Sequence, residues 1–258
     1  MSQSSEQTIK KPEMIVRPMS NIRGIAWMAL AGILFAAMTG IVRHLGTDMN
    51  PIQTSFIRYA FGIVLMVPVF LRLSRAEMRS NNKKLHAFRG VIHAGGVMLW
   101  FFAMSRLPIA EVTALGFLSP IFTTIGAAIY FKETLHARRI GAVLMGFGGT
   151  LIILRPGIEV IDIGAVAQLL AAPMFAISFM MAKKMTQTEH RSSIVAYMAL
   201  FVTLALLPPA MLVWRTPTME EIFWLFLMAA VATLAHLVMT KAMEEAELTT
   251  LQPVHFLQ

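Results

Sequence analysis

Residues 24–42 read GIAWMALAGILFAAMTGIV and contain no charged side chain. The hydrocarbon core of a bilayer is about 30 Å thick, which a helix crosses in roughly 20 residues. Lipid offers no hydrogen-bond partner to a backbone N–H or C=O group, so an apolar run of this length must satisfy its backbone internally. The sequence therefore predicts a transmembrane helix here.

Seven other segments share this apolar character, and a ninth begins near Ala246. None of them shows the alternating pattern of barrel strands. The complete predicted spans are residues 24–42, 51–71, 90–105, 109–131, 137–154, 163–182, 194–214 and 222–240. The sequence thus indicates an all-α polytopic membrane protein with eight complete spans and part of a ninth.

The composition agrees with lipid as the solvent. Hydrophobic residues make up 57% of the chain and charged residues only 14%, whereas soluble domains carry about 25% charged residues. Cysteine is absent, which excludes a disulfide framework, a thiolate metal site and a cysteine nucleophile. The first twenty residues lack the features of a cleaved secretory signal, so the first apolar stretch is expected to span the membrane.

The basic residues fall in alternate loops, which favours the positive-inside rule over a nucleic-acid surface despite the net charge of +8. One side receives seventeen of them: Lys10, Lys11, Arg17, Arg23, Arg72, Arg75, Arg79, Lys83, Lys84, Arg89, Lys132, Arg138, Arg139, Lys183, Lys184, Arg191 and Lys241. The other side receives four: Arg43, Arg106, Arg155 and Arg215. This bias predicts a cytoplasmic N-terminal tail, residues 1–22.

An internal repeat relates the two halves of the chain. A shift of 140 residues lays Gly24, Leu30, Ala31, Phe35 and Ala36 on Gly164, Leu170, Ala171, Phe175 and Ala176. A shift of 136 lays Ala110, Glu111, Thr113 and Leu115 on Ala246, Glu247, Thr249 and Leu251.

A unit of five helices, an odd number, ends on the opposite side of the membrane from where it begins. The second copy of the repeat must therefore enter the membrane from the other side. The first repeat is predicted at residues 23–155 and the second, incomplete, at residues 156–258, with three helices and part of a fourth. On this arithmetic a complete protein has ten spans. We expect this chain to end within the ninth, as a truncated protein would.

Several ordered motifs carry a resemblance to a known family. They are AEVTAL at 110–115 followed by PIF at 120–122, FKETL at 131–135, RIG at 139–141, GFGG at 146–149 and FIRY at 56–59. In this order they resemble the EamA-type transporters of the drug/metabolite transporter superfamily. The resemblance implies ten helices in two inverted halves around a central cavity. It also implies transport of small metabolites such as amino acids, nucleosides, vitamins or organic cations, without a cofactor.

Ionisable side chains within a membrane are costly unless paired or hydrated, which makes them candidates for function. Arg58, two turns into the second span, either binds a substrate carboxylate through its guanidinium fork or snorkels to headgroups or a backbone carbonyl. Glu111 either forms an ion pair with Arg106 or Arg58 or carries a coupling proton.

A second set of candidates consists of side chains with rings, several of which occupy equivalent positions in the internal repeat. His93 and Trp100 are seven residues apart and therefore share one helix face, while Trp100 corresponds to His236 under the shift of 136. These side chains either face a central cavity, where they stack on or hydrogen-bond a flat ligand, or pack within the helix bundle. The repeat-related Phe35 and Phe175 either line the same cavity or belong to the core.

Other polar and helix-bending residues lie at membrane depth. Gln168, Ser178 and Thr39 are expected to form interhelical hydrogen bonds, and a minority of them to contact substrate. Prolines inside spans are candidates for bends: Pro68, Pro120, Pro173 and the pair Pro208 and Pro209.

The leading functional hypothesis is a secondary transporter that works by alternating access in a cell membrane, with the bacterial inner membrane favoured. Its partners are expected to be a small-molecule metabolite, the lipid bilayer and, as one option, a second copy in a homodimer, but no nucleic acid. No Walker loop or catalytic triad order supports a pump or a hydrolase. The alternatives are a truncated fragment that does not transport, and an intramembrane enzyme that uses His93, Glu111 and His236.

Overall fold

The structure of the protein is a computed structural model that describes residues 20–45, 49–72, 74, 80, 82–134, 137–154 and 162–257. These residues form helices and connecting turns, and no strand occurs in the described ranges. The helices are α1 Asn21–Leu45, α2 Pro51–Arg72, α3 Lys83–Arg106, α4 Ile109–Gly116, α5 Leu118–Tyr130, α6 Ala137–Leu154, α7 Ile163–Met185, α8 Arg191–Leu212, α9 Met219–Glu245 and α10 Leu248–Leu251, followed by the 3-10 turn Gln252–Leu257. The predicted all-α class is confirmed.

Seven helical stretches in the described ranges are long and apolar enough to cross a membrane: α1, α2, α3, α4 with α5, α7, α8 and α9. Helix α6 coincides with the fifth predicted span but is not among the seven. Large apolar side chains such as Val64, Ile129 and Phe223 face outward, as expected of a protein whose surrounding solvent is hydrocarbon. The polytopic membrane class is confirmed, while the count of eight spans stays a prediction.

Helix α3 begins earlier than predicted. The apolar run suggested a start at residue 90, and Arg89 was assigned to a basic loop. In the structure α3 starts at Lys83, and Arg89 is 1% exposed inside the bundle. The prediction failed for Arg89 because it used the apolar run alone, whereas the helix extends beyond that run and packs this polar turn against α7 and α8.

The fourth predicted span, residues 109–131, is interrupted at Phe117, between α4 and α5. Pro120 has no N–H to donate to the carbonyl of Gly116, four residues earlier, so a regular helical hydrogen bond is missing at this point. A short interruption of the helix therefore lies three residues before Pro120, while a bend at Pro120 stays a prediction.

The helices of the two halves pack on each other reciprocally. Among the described elements, α1 packs most extensively on α9, α3 on α7, and α2 on α8. Small residues allow close approach: a Cβ atom added at Gly96 would lie 3.2 Å from Phe175 Cε1. The first helix of each half therefore contacts the third span of the other, and the second helices contact each other.

We call the end of the bundle with the start of α1 and the end of α9 the tail end, and the opposite end the far end. At the tail end, the N–H of Ser20 donates to the carbonyl of Glu245 over 2.8 Å. Glu133 accepts hydrogen bonds from the N–H groups of Leu248 and Thr249 at 3.2 and 2.8 Å, which caps the start of α10. These contacts tie α1, α5, α9 and α10 together.

Candidate functional site

A cavity of about 190 Å³ lies near the middle of the bundle, between α1, α2, α3, the α4–α5 break, α7 and α9. We call it the central cavity. All six side chains that the sequence suggested as substrate contacts line it: Phe35, Arg58, His93, Trp100, Phe175 and His236. Both halves of the chain therefore contribute to one partly open cavity near the middle of the bundle.

Rings form much of the cavity wall. The centroids of Phe35 and His236 are 5.1 Å apart with the rings edge to face, and those of His93 and Phe175 are 5.3 Å apart in a similar arrangement. His93 and His236 approach to 5.7 Å. Trp100 packs its edge against Phe101 at 4.8 Å. Offset and edge-to-face geometries of this kind are the favourable ones for aromatic pairs.

His93 is held firmly by hydrogen bonds on both ring nitrogens. Its Nδ1 lies 2.9 Å from Ser178 Oγ, and its Nε2 lies 2.8 Å from the hydroxyl of Tyr59. Because both nitrogens are engaged, His93 presents its ring surface to the cavity and keeps its polar atoms for its neighbours. Ser178, predicted to bond between helices, does so here.

Arg58 is 5% exposed and points its guanidinium into the cavity wall. Its Cζ lies 4.1 Å from the centroid of the Tyr59 ring, a cation–π contact. Its Nε has no hydrogen-bond partner, and no carboxylate among the described residues forms an ion pair with it. This position differs from a snorkelled arginine, whose charged head reaches water or headgroups.

Four buried polar atoms around the central cavity have no hydrogen-bond partner in the described structure. They are Arg58 Nε, Ser119 Oγ, Gln168 Oε1 and His236 Nδ1. Buried polar atoms are nearly always paired, and such exceptions often mark sites that bind a polar molecule. All four residues line the central cavity, but these atoms themselves have almost no accessible surface, so a ligand reaches them only if neighbouring side chains move.

Glu111 lies apart from this set. It is half-buried in the first turn of α4 and does not line the central cavity. Within the described residues it forms no ion pair with Arg106 or Arg58. Its carboxylate instead lies at a helix N-terminus, where the helix dipole favours negative charge. A role for Glu111 in proton coupling stays a prediction.

Arg89 is the main polar residue that sequence reasoning missed. Its Nε donates to the carbonyl of Ser178 at 3.1 Å and to Ser178 Oγ at 3.3 Å, and its Nη1 donates to the carbonyl of Ile194 at 3.3 Å. A sequence signal existed, because Arg89 is four residues before His93 and hence on the same helical face. Arg89 therefore supports His93 from below through their shared partner, Ser178.

A buried ionisable pair continues this face of α3 towards the tail end. His86 Nε2 lies 2.7 Å from Glu189 Oε2, and Ser80 Oγ donates to Glu189 Oε1 over 2.7 Å. His86 is completely buried and Glu189 is 6% exposed. The polar face of α3, formed by His86, Arg89 and His93, thus runs from the tail end to the central cavity.

A second cavity of about 430 Å³ lies between the end of α1, the start of α2 and the end of α3. Phe101 lines both this cavity and the central one. Arg43 Nη1 reaches the carbonyl of Met104 there over a long 3.5 Å. Phe101 is therefore the side chain between the central cavity and the space at the far end.

No group of three His, Asp or Glu side chains arranged to hold a metal ion occurs in the part of the chain that the structure describes. The polar atoms of the central cavity are amide, hydroxyl, imidazole and guanidinium groups. Such groups suit hydrogen bonding to an organic molecule.

Three curated relatives resemble this chain along most of its length. An S-adenosylmethionine uptake transporter of Rickettsia bellii is 26% identical over 91% of this chain and 81% of that protein. A riboflavin transporter of Vibrio cholerae is 29% identical over 90% of this chain and 80% of its own length. A pseudopaline exporter of Pseudomonas aeruginosa is 23% identical, with 88% and 80% covered.

A solved crystal structure shares the fold. It matches with a TM-score of 0.75 at 15% sequence identity, covering 92% of this chain and 85% of its own. The model of the EamA-like transporter family matches the sequence twice, at residues 22–155 and 162–258. The chain therefore belongs to the EamA-like transporter family, and it is a transporter rather than an enzyme.

Proposed function

We propose that the protein is a secondary transporter that binds a small metabolite in the central cavity and carries it across the bacterial inner membrane by alternating access. Transport of small metabolites follows from the family and from the named relatives. The observation that carries the proposed site is a cavity that both halves line with aromatic rings and with four residues whose buried polar atoms have no partner in the described structure. Substrate sites of transporters commonly lie at such an interface between repeats.

The inverted-repeat arrangement, with units at 23–155 and 156–258, is part of this proposal. Arg43 and Lys183 are 140 residues apart, the same spacing that relates Phe35 to Phe175. Arg43 binds the carbonyl of Met104 near the end of α3, and Lys183 binds carbonyls near the end of α9. Each is a cation on the first helix of its half that caps the third span of the same half.

The hydrogen bonds of the two caps differ in length. A difference between the two ends of the bundle is what alternating access leads us to expect. Lys183 Nζ donates to the carbonyls of Met243 and Ala246 at 2.6 Å each, whereas the bond from Arg43 is 3.5 Å long and its side chain is exposed. A transporter built from inverted repeats has one end closed and the other loosened, and the two exchange roles during transport. We infer that this conformation is closed at the tail end.

The orientation is proposed from charge alone. Described basic residues that the sequence assigned to one side, such as Arg23, Lys84, Lys132 and Arg191, lie at helix termini of the tail end, so the positive-inside rule favours a cytoplasmic tail end. The central cavity then faces outward in this conformation. The absence of cysteine makes both statements measurable with single introduced thiols.

Flux measurements in proteoliposomes test the proposed site. Purified protein is screened with a panel that includes riboflavin, S-adenosylmethionine, amino acids and nucleosides. For a transported compound, Trp100→Ala and His236→Ala are expected to lower kcat/KM at least tenfold. Trp214→Ala and His44→Ala are matched controls, because both side chains are exposed at the far end. Unchanged flux in both cavity variants contradicts the proposed site.

Thiol labelling in intact cells tests orientation and access. Thr39 lines the central cavity, and Lys84 is exposed at the tail end. A membrane-impermeant maleimide is expected to label Thr39→Cys from outside, with protection by substrate, and to label Lys84→Cys only after permeabilisation. If Lys84→Cys is labelled from outside in intact cells, the tail end lies outside and the proposed orientation is wrong. Labelling of Thr39→Cys only from the cytoplasmic side contradicts the outward-facing assignment.

A further inference from the structure

We propose that the central cavity selects flat heteroaromatic rings, of one or two fused rings and with neutral or negative charge, and rejects organic cations. The proposal rests on the function proposed for this cavity and adds the substrate class. It follows from four properties of the wall: its charge, its unused polar atoms, its rings and its volume.

The charge of the cavity is one-sided. Among the described residues that line it, one side chain, Arg58, carries a permanent charge, and none is Asp or Glu. A second guanidinium, Arg89, lies behind His93 and is bonded to carbonyl and hydroxyl oxygens, and the nearby Glu189 carboxylate offsets part of its charge. In a medium of low dielectric constant these charges attract an anion and oppose a cation.

The unused polar atoms require a ligand that both donates and accepts. Arg58 Nε is a donor only, and the Oε1 atom of Gln168 is an acceptor. Ser119 Oγ and His236 Nδ1 are able to take either role. An amide, an imide or a ring nitrogen beside a carbonyl offers both kinds of group within a single plane. A purely aliphatic ligand leaves these buried atoms unpaired and gains no hydrogen bond from them.

The rings favour a flat ligand. Phe35 and Phe175 stand at repeat-related positions of α1 and α7 and both line the cavity, as does Trp100. Phe35 is braced by the edge of His236, and Phe175 by the edge of His93. A flat heteroaromatic ring gains favourable stacking on aromatic side chains. Braced rings lose little side-chain entropy when such a ligand binds.

The volume limits the ring count. A cavity of about 150 Å³ in a protein core holds benzene, and the central cavity measures about 190 Å³. One substituted ring or a compact pair of fused rings fits this conformation. A three-ring ligand requires the wall to open.

The proposed rejection of cations gives this chain a different substrate class from the S-adenosylmethionine uptake transporter. S-adenosylmethionine carries a sulfonium and an ammonium group against one carboxylate, so its net charge is positive. The central cavity offers these cationic groups aromatic faces but no described carboxylate. Riboflavin is uncharged and has an imide edge, although its three fused rings exceed the present volume.

Matched probes test the proposal by isothermal titration calorimetry of the full chain in detergent micelles. The one-ring set is nicotinate, nicotinamide and 1-methylnicotinamide, which share a ring and differ in charge. The two-ring set is quinoline-3-carboxylate, quinoline-3-carboxamide and its N-methyl cation. In at least one set the anion and the neutral compound are expected to bind at least tenfold more tightly than the cation. Equal or tighter binding of the cations in both sets, or no binding by either set, overturns the proposal.

Variants of Arg58 locate the selectivity. Arg58→Gln is expected to weaken binding of the carboxylate at least tenfold while binding of the amide changes less than threefold. Arg58→Lys keeps the charge, so it is expected to retain the preference for the anion. Arg72→Gln, an exposed change on the same helix, is the control. Elution as a single size-exclusion peak shows that each variant is folded, and an unaltered charge preference in Arg58→Gln contradicts the assigned role.

Flux data separate this inference from the proposed function. If the metabolite panel shows saturable transport of S-adenosylmethionine or another cation through the cavity, the transport proposal stands and the substrate class is wrong. If the heteroaromatic probes bind with the expected selectivity but no compound of the panel is transported, the proposed ligand class is supported and the transport proposal fails.

Discussion

Tyr59 and His93 lie 2.8 Å apart, from the hydroxyl of one to Nε2 of the other, and join α2 to α3 beneath the central cavity. The same Tyr59 ring carries the cation–π contact with Arg58. This pair therefore orients both an imidazole and a guanidinium of the cavity wall through one side chain. Loss of the hydroxyl is expected to loosen the His93 imidazole and to leave the ring contact with Arg58 in place.

Tyr59→Phe keeps the ring but leaves His93 Nε2 unpaired in a buried site. The expected cost is about 1–3 kcal/mol in folding free energy, seen as a lower Tm, and at least a threefold drop in kcat/KM for a transported compound. Tyr130→Phe is the matched control, because Tyr130 is exposed and its hydroxyl meets only the exposed Lys184. Equal effects of the two changes contradict a special role for Tyr59.

Gly96 sets the separation of α3 and α7 beside the cavity. A Cβ atom there would lie 3.2 Å from Phe175 Cε1 and 3.3 Å from Met174 Cβ. Gly96→Ala is therefore expected to push the Phe175 ring into the cavity, raise KM several-fold and cost about 1–3 kcal/mol through overpacking. Gly40→Ala is the control, because nothing lies within 4 Å of the added atom. A KM unchanged by Gly96→Ala excludes this contact from substrate binding.

The all-helical membrane class was predictable because lipid leaves a long apolar segment few structures other than a helix. Residues 24–42 lack charge, and such a run has few stable structures in hydrocarbon other than a helix. The break at Phe117 was foreshadowed by Pro120, whose missing N–H is a local property of the chain. These features depend on neighbouring residues only, so the sequence contains the information directly.

The cavity lining was partly predictable for a different reason. His93 and Trp100 share a helix face by their spacing, and the repeat relates Phe35 to Phe175 and Trp100 to His236. Together with the rarity of charge at membrane depth, these patterns selected side chains that line one cavity. Whether these side chains bind substrate is a separate matter, which the flux and binding experiments address.

What was missed depends on tertiary packing. Arg89 looked like part of a basic loop, and its burial arises because carbonyls of α7 and α8 receive its N–H groups. No sequence pattern pointed to Ser119 as a cavity residue, since a serine in an apolar span usually bonds to its own helix. Glu189 lies in a turn between α7 and α8 and becomes a buried partner only because α3 extends to His86.

The buried pair of Glu189 and His86 is expected to stabilise the tail end. Glu189→Gln weakens the bonds to His86 and Ser80 in a site without water access, so we expect a loss of about 1.5–3 kcal/mol and a lower Tm in thermal unfolding. Glu220→Gln, on the exposed first turn of α9, is the control. A double-mutant cycle with His86→Ala gives the coupling energy. A coupling near zero means that the pair contributes nothing as a pair.

Lys183 is expected to govern the balance between outward-facing and inward-facing states. Lys183→Met removes two hydrogen bonds, to the carbonyls of Met243 and Ala246. If each is worth about 0.5–1.5 kcal/mol, the population ratio of the two states shifts roughly tenfold, away from closure at the tail end. The rate of outside labelling at Thr39→Cys reports this shift directly.

We expect slower outside labelling of Thr39→Cys in the Lys183→Met background, and no change in the Lys184→Met background, whose side chain binds only the exposed Tyr130 hydroxyl. Arg43→Met removes the single long bond to Met104, so its effect is expected to be smaller and of opposite sign. The opposite direction of the two changes in labelling rate is the most specific part of the prediction. Repeat-related caps at opposite ends of the bundle are expected to stabilise opposite states. Equal shifts in the same direction for Lys183→Met and Arg43→Met contradict the inverted pairing of the two caps.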